Sequence, residues 1–241
     1  MKANERHHLK ENEFANLASS ARGVLEERSG PLKWIGLALL VVLAAGIGYS
    51  VWSGQTQGRA GIMLADAMAV QDARVGAPDA PGSRSAAPSF PTERDRNQAM
   101  LAKFKAVADQ FPETQEGIFA RYREAGAHMA LNNPKEAAAV YAQVIATGGD
   151  SLYGQMARLG LAEAQARAGE LDKAIDTYKE LSARTDGPLP VDGVLMQLGR
   201  LYRTAGKASD AEQTFNRLVT EFPDSQFAAD ARRELDDLKK G

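Results

Sequence analysis

From Met100 onward, three sets of residues recur at one fixed period. Met100, Ala137, Ala174 and Ala211 stand 37 residues apart, and so do Phe104, Tyr141, Tyr178 and Phe215. Val107, Val144, Leu181 and Leu218 form the third ladder. Within each copy the three positions fall at i, i+4 and i+7, which is one face of an α-helix. The small first rung calls for a close helix–helix approach, and the aromatic second rung fills the space beside it. A unit that repeats at this length cannot bury its apolar face alone, so consecutive units must stack. The expected fold is therefore all-α, an α-solenoid of helix pairs over residues 93–241.

Turn chemistry supports the pairing. Gly169 and Gly206 stand where one helix of a pair ends in a left-handed residue. Asn133-Pro134-Lys135-Glu136 reads as an N-cap, a first-turn proline and a glutamate reaching back. The last copy shows the whole unit, LGRLYRTAGKASDAEQTFNRLVTEFP from Leu198 to Pro223. With Leu198, Gly199, Tyr202, Ala211, Phe215 and Pro223 at these spacings, it resembles the tetratricopeptide repeat (TPR) family. The middle copy matches at Leu161, Ala162, Gly169, Ala174 and Tyr178 but has Gln165 where the family prefers an aromatic. The first full copy keeps Ala125, Ala137 and Tyr141 but carries Glu124 and His128 at apolar and aromatic places. Met100–Pro112 matches only the second helix of a repeat. Its first helix is either missing or supplied by Ala60–Ala73. The terminal stretch DSQFAADARRELDDLKK reads as a capping helix that turns Arg232, Arg233, Glu234, Asp236 and Asp237 outward.

Upstream, Trp34 to Trp52 spans nineteen positions with no charge and no proline. As a helix this is ~28 Å long at ~1.5 Å per residue, close to the ~30 Å hydrocarbon core of a bilayer. Trp34, Tyr49 and Trp52 near its ends suit the headgroup level. A cleaved signal is the competing reading, with Ala44-Ala45-Gly46 as small residues, but the run exceeds the usual ~7–15 residues of such signals. A buried core helix is the other, and it conflicts with the polar flanks.

Residues 1–33 hold six Lys or Arg, whereas the twenty residues after Trp52 hold only Arg59. This bias predicts a cytoplasmic N-terminus and an extracytoplasmic remainder, periplasmic in a Gram-negative cell. The expected organisation is a cytoplasmic tail (1–33), a transmembrane helix (34–52), a juxtamembrane helix (53–75), a proline-rich linker (76–92) and the repeat domain (93–241). Residues 12–28 of the tail read either as a short amphipathic helix, with Phe14, Leu17, Ala21, Val24 and Leu25 on one face, or as a loosely ordered segment. The linker is expected to space the repeats away from the lipid.

Several functions lack their chemistry. Formal net charge is -2 with 25% charged residues, which gives no basic footprint for nucleic acid. There is no cysteine, hence no disulfide and no thiolate site. No phosphate loop, hydrolase elbow or paired-histidine metal helix appears, and adjacent His7 and His8 would point apart on a helix. No catalytic, metal, cofactor or small-molecule site is expected, and the protein is read as a non-enzyme.

The resemblance implies that first helices line a concave groove for proteins or peptides. By register this groove takes Phe119, Tyr122 and Met129 from the first copy. It takes Met156, Glu163 and Arg167 from the second, and Met196, Arg200 and Arg203 from the third. The layout of tail, span and exported array is similar to the single-span periplasmic TPR subunit ancillary to the bacterial Sec translocon. That similarity implies a scaffold whose partners are translocon subunits and periplasmic chaperones. An envelope-assembly or cell-division coordinator, or a membrane sensor, would use the same array.

Overall fold

The computed structural model describes residues 29–76, 88–184 and 187–240. The tail helix expected over 12–28, with His7 and His8, lies outside the described residues, as does most of the proline-rich segment. The chain divides into two compact units, Met1–Gln55 and Thr56–Gly241.

Helix α1 runs without a break over Ser29–Gln71, so the expected span and juxtamembrane helix are one element. Its length is ~65 Å at ~1.5 Å per residue. Within the first unit, Leu37–Trp52 is exposed on every side, and Trp34 and Trp52 are 72% and 63% exposed. An apolar surface all round a helix needs an apolar solvent, and this helix is long and apolar enough to cross a membrane.

In the second unit, α1 behaves differently. Ala60, Ala67 and Val70 are buried, with Met63, Leu64 and Met68 packed beside them, in one cluster with Met100, Phe104 and Val107. Those last three belong to α2 (Glu93–Gln110). The end of α1 thus stands in for the first helix of the incomplete repeat.

Arg74–Val75 (β1) and Ser89–Phe90 (β2) pair in parallel, and the Gly76 amide donates to the Phe90 carbonyl at 3.0 Å. The proline-rich segment therefore has its ends held together. It joins two elements of one unit, which differs from the spacer read in the sequence.

Three helix pairs follow: α3 (Gln115–Ala130) with α4 (Pro134–Gly148), α5 (Leu152–Arg167) with α6 (Leu171–Ala183), and α7 (Val191–Thr204) with α8 (Ala208–Glu221). Helix α9 (Ala228–Leu238) ends the array. All twelve ladder positions are buried.

Asn132, Gly169 and Gly206 have φ values of 62°, 81° and 73°. They recur at the same 37-residue period, so each pair turns through one left-handed residue. The hydroxyls of Thr114 and Ser151 cap α3 and α5 by accepting from Gly117 N and Gly154 N. Asn133 does occupy the N-cap position of α4 ahead of Pro134, but its side chain makes no cap hydrogen bond. The proline at N1 removes one orphan donor, so less remains for a cap to satisfy.

Candidate functional site

The first helices of successive pairs come together, α3 against α5, and their facing side chains form an aromatic cluster. Phe119 and Tyr153 have ring centroids 5.2 Å apart, Tyr122 and Tyr153 6.2 Å, and Tyr122 and Tyr141 5.7 Å. All four rings meet in tilted geometries, a favoured arrangement for aromatic pairs. Phe119, Tyr122, Met129 and Met156 are each partly exposed.

Tyr153 was not among the groove residues read from sequence. It lies three residues before Met156, next to a register position rather than on one, and Glu116 holds the same place in the first copy. Its signal was the helical i, i+3 spacing to Met156.

Glu163 and Arg167 are exposed on α5 and pair with each other at 2.6 Å. Gly126 holds in α3 the register place of Glu163, and a Cβ there would meet nothing within 4 Å. The surface is therefore open at this point. One second-helix tyrosine, Tyr141, meets this surface through Tyr122. The Tyr141 ring passes so close under Gly160 that a Cβ at Gly160 would lie 2.4 Å from Tyr141 Cζ. Burial pushes the Tyr141 phenol up to about 12, with Tyr122 and Glu163 adding to the shift. Burial likewise pushes the Tyr178 phenol up to about 12, aided by Glu163. Both remain neutral hydroxyls across the physiological range.

The third copy corrects the sequence reading. Met196 is fully buried, in the cluster that α7 shares with α8 and α9, and offers no surface to a partner. Arg200 and Arg203 are exposed but not free. Arg200 Nε donates to Glu234 Oε1 at 3.2 Å, Arg203 pairs with the same carboxylate, and Arg200 Nη2 lies 3.8 Å from Asp230. The Glu234 side chain is only 12% exposed, so it does not turn outward as the capping pattern suggested. Reversing both arginines would break the seat of α9, so that change does not isolate binding. The register positions left partly or fully exposed without holding another helix are those of the first two repeats.

Where the first copy departs from the repeat pattern, the polar residues are handled locally. Glu124 is buried and accepts from Arg121 Nη1 at 2.7 Å, while Arg121 Nη2 donates to Asp109 at 2.6 Å. Hydrogen bonds from Lys105 and then Arg121 hold the Asp109 carboxyl below its ordinary 3.8. Gln165, at the aromatic place in the second copy, accepts from Thr177 Oγ1 at 3.0 Å. His128 is partly buried, as a packing residue is, with Nδ1 unpaired among the described residues. No group of three or more His, Cys, Asp or Glu among the described residues could hold a metal ion.

Comparison with known proteins places this geometry in context. No curated protein matches the chain. Among solved structures, TPR-like repeats assigned to a kinesin light chain of Podosopora anserina superpose with a TM-score of 0.54 at 16% identity. They cover 61% of this chain and 79% of that one. A tetratricopeptide repeat protein from Parabacteroides merdae gives a TM-score of 0.50 at 16% identity, covering 61% of this chain and 56% of that one. These likenesses concern the fold alone. Residues 32–240 match a family described as a tetratricopeptide repeat-like domain, a range that takes in the apolar part of α1 as well as every helix pair. The chain belongs to the tetratricopeptide repeat-like family.

Proposed function

We propose that the protein is a membrane-anchored scaffold that binds proteins or peptides on the extracytoplasmic face, near Sec translocon subunits or periplasmic chaperones. The observation that carries the binding role is the partly exposed aromatic and methionine surface where α3 meets α5. Aromatic residues concentrate binding energy, and methionine adapts to varied partners. The anchor is supported by the apolar half of α1 and the orientation by the Lys/Arg bias of residues 1–33. The Sec neighbourhood rests on the layout of tail, span and array, and the repeats themselves carry no catalytic signature.

One set of experiments in cells tests both parts. The absence of cysteine allows single labels without background. Ala229 is exposed on α9, and Ala229→Cys reacts with a membrane-impermeant maleimide from outside the cytoplasm, whereas Ser19→Cys does not. Ser225 is avoided because its hydroxyl donates to Asp192 Oδ2 at 2.6 Å. A photo-crosslinking residue at Met156 captures export-channel subunits or chaperones, and one at exposed Lys179 on α6 does not. The reverse labelling pattern removes the orientation. Capture from Lys179 alone removes the groove.

A further inference from the structure

Seven residues of α1 lie between its two supports. Upstream, the apolar run ends at Trp52, and downstream Ala60 is fully buried in the cluster that holds Phe104. Between them stands Ser53-Gly54-Gln55-Thr56-Gln57-Gly58-Arg59, helical throughout and outside every buried cluster of the described residues. The boundary between the two compact units, after Gln55, falls inside it. Ser53 and Thr56 are partly exposed and the other five are exposed, so core packing contributes little to their helical state.

The stretch must then stay helical by its own propensity, and its residues are poor at that. Glycine is the weakest helix former after proline, and serine and threonine also rank well below alanine. No steric need within this chain accounts for the two glycines, since a Cβ on Gly54 or Gly58 would meet nothing within 4 Å. The contrast is with Gly160 and Gly199, where a Cβ would lie 2.4 Å from a buried ring. Charge gives no support either. Arg59 has Gln55 and Thr56 one turn before it and Ile62 and Met63 one turn after, so the sequence offers it no helical ion pair.

We infer that residues 53–59 are a joint, about two turns of helix that open locally while α1 stays folded on both sides. The inference rests on the membrane reading of the apolar run and is independent of the groove. In hydrocarbon an opened turn leaves amides and carbonyls without partners, so residues 37–52 stay helical. From Ala60 onward the helix is held by its seat on α2, through Ala60, Ala67 and Val70. The stretch between them meets water, and local opening takes least free energy where buried contacts are fewest. Single spans tilt in lipid. Opening at the joint lets the anchor tilt without forcing that tilt into the seat that completes the first repeat. The two tasks of α1, span and repeat helix, are thereby kept from straining each other.

The test is amide hydrogen exchange, read by mass spectrometry on the full-length chain in dodecyl maltoside micelles. Amides of residues 53–59 exchange about a hundredfold or more faster than those of residues 37–52 and 60–71. The double change Gly54→Ala, Gly58→Ala slows exchange in this stretch by about fivefold for each glycine replaced, while the melting temperature of the repeats stays in place. Gly46→Ala with Gly48→Ala, inside the apolar run, leaves exchange at residues 53–59 as it was. If residues 53–59 are protected as well as their flanks, the joint falls and the anchor stands. If residues 37–52 exchange as fast as residues 53–59, the membrane reading falls and takes the joint with it. If the alanine pair at 54 and 58 leaves exchange unchanged or raises it, the glycines serve a close contact with another helix instead, and the joint falls.

Discussion

At one register position the first repeat carries Glu124 and the third carries Leu198, and both side chains are buried. One turn earlier on the same helix face, the first repeat has Arg121 and the third has Leu195, which is also buried. The first repeat supplies the cation that its buried carboxylate needs, and Asp109 supports that cation from α2. The third repeat fills the same volume with leucine and packs Phe215 directly on Gly199. The difference extends to the concave side. In the third repeat α9 closes over the first helix through Glu234, whereas in the first two repeats an aromatic surface is left open. One repeat geometry thus serves two ends. The C-terminal end is finished by apolar packing and a cap, and the N-terminal end keeps polar and aromatic groups available.

The sharpest way to break this comparison is to exchange the two chemistries. Leu198→Glu places a carboxylate where Leu195 can offer no partner, and the expected loss is about 3 kcal/mol or more by urea unfolding followed by circular dichroism. The double change Arg121→Leu, Glu124→Leu replaces the buried ion pair by the leucines of the third repeat, so its effect stays within about 1 kcal/mol or is stabilising. Equal losses at the two sites would show that the repeats are not built differently.

A smaller contrast compares two glycines. Gly199→Ala puts a Cβ 2.4 Å from the Phe215 ring and is expected to cost about 1–3 kcal/mol. Gly126→Ala adds a methyl in open space within a helix and is expected to gain up to about 1 kcal/mol from helix propensity. Melting shifts of the same sign would contradict the packing described here.

The smallest effect sharpens the comparison through pH. The folded-state value of Asp109 is depressed, so its contribution is fully present above its ordinary 3.8 and is lost as pH falls through the lowered value. Asp109→Asn should therefore cost less than about 1 kcal/mol at neutral pH, because the Asp109 carboxylate itself is exposed to solvent. The difference from the wild type should vanish in strong acid. A difference that grows toward acid would mean the sign is wrong.

Much of the repeat was legible because its information is local. The three ladders, the left-handed glycines and the first-turn proline each depend on spacing within a helix or turn, and each is found at its place. The exposed face of the first helices was legible in part for the same reason. Phe119, Tyr122, Met129, Met156, Glu163 and Arg167 lie on a helix face that periodicity defines. Tyr153 escaped because an aromatic just off the register gains its meaning only from the ring that comes to meet it.

The sequence by itself determined the all-α repeat, its period, the apolar length of α1 and the absence of cysteine chemistry. Those are properties of residue spacing and composition, which no neighbour can alter. Tertiary structure alone decided that α1 continues past the apolar run to complete the first repeat, since the choice of which helix covers α2 is non-local. It decided that Met196 is core and that Arg200 and Arg203 hold α9, since periodicity identifies a face without saying what covers it.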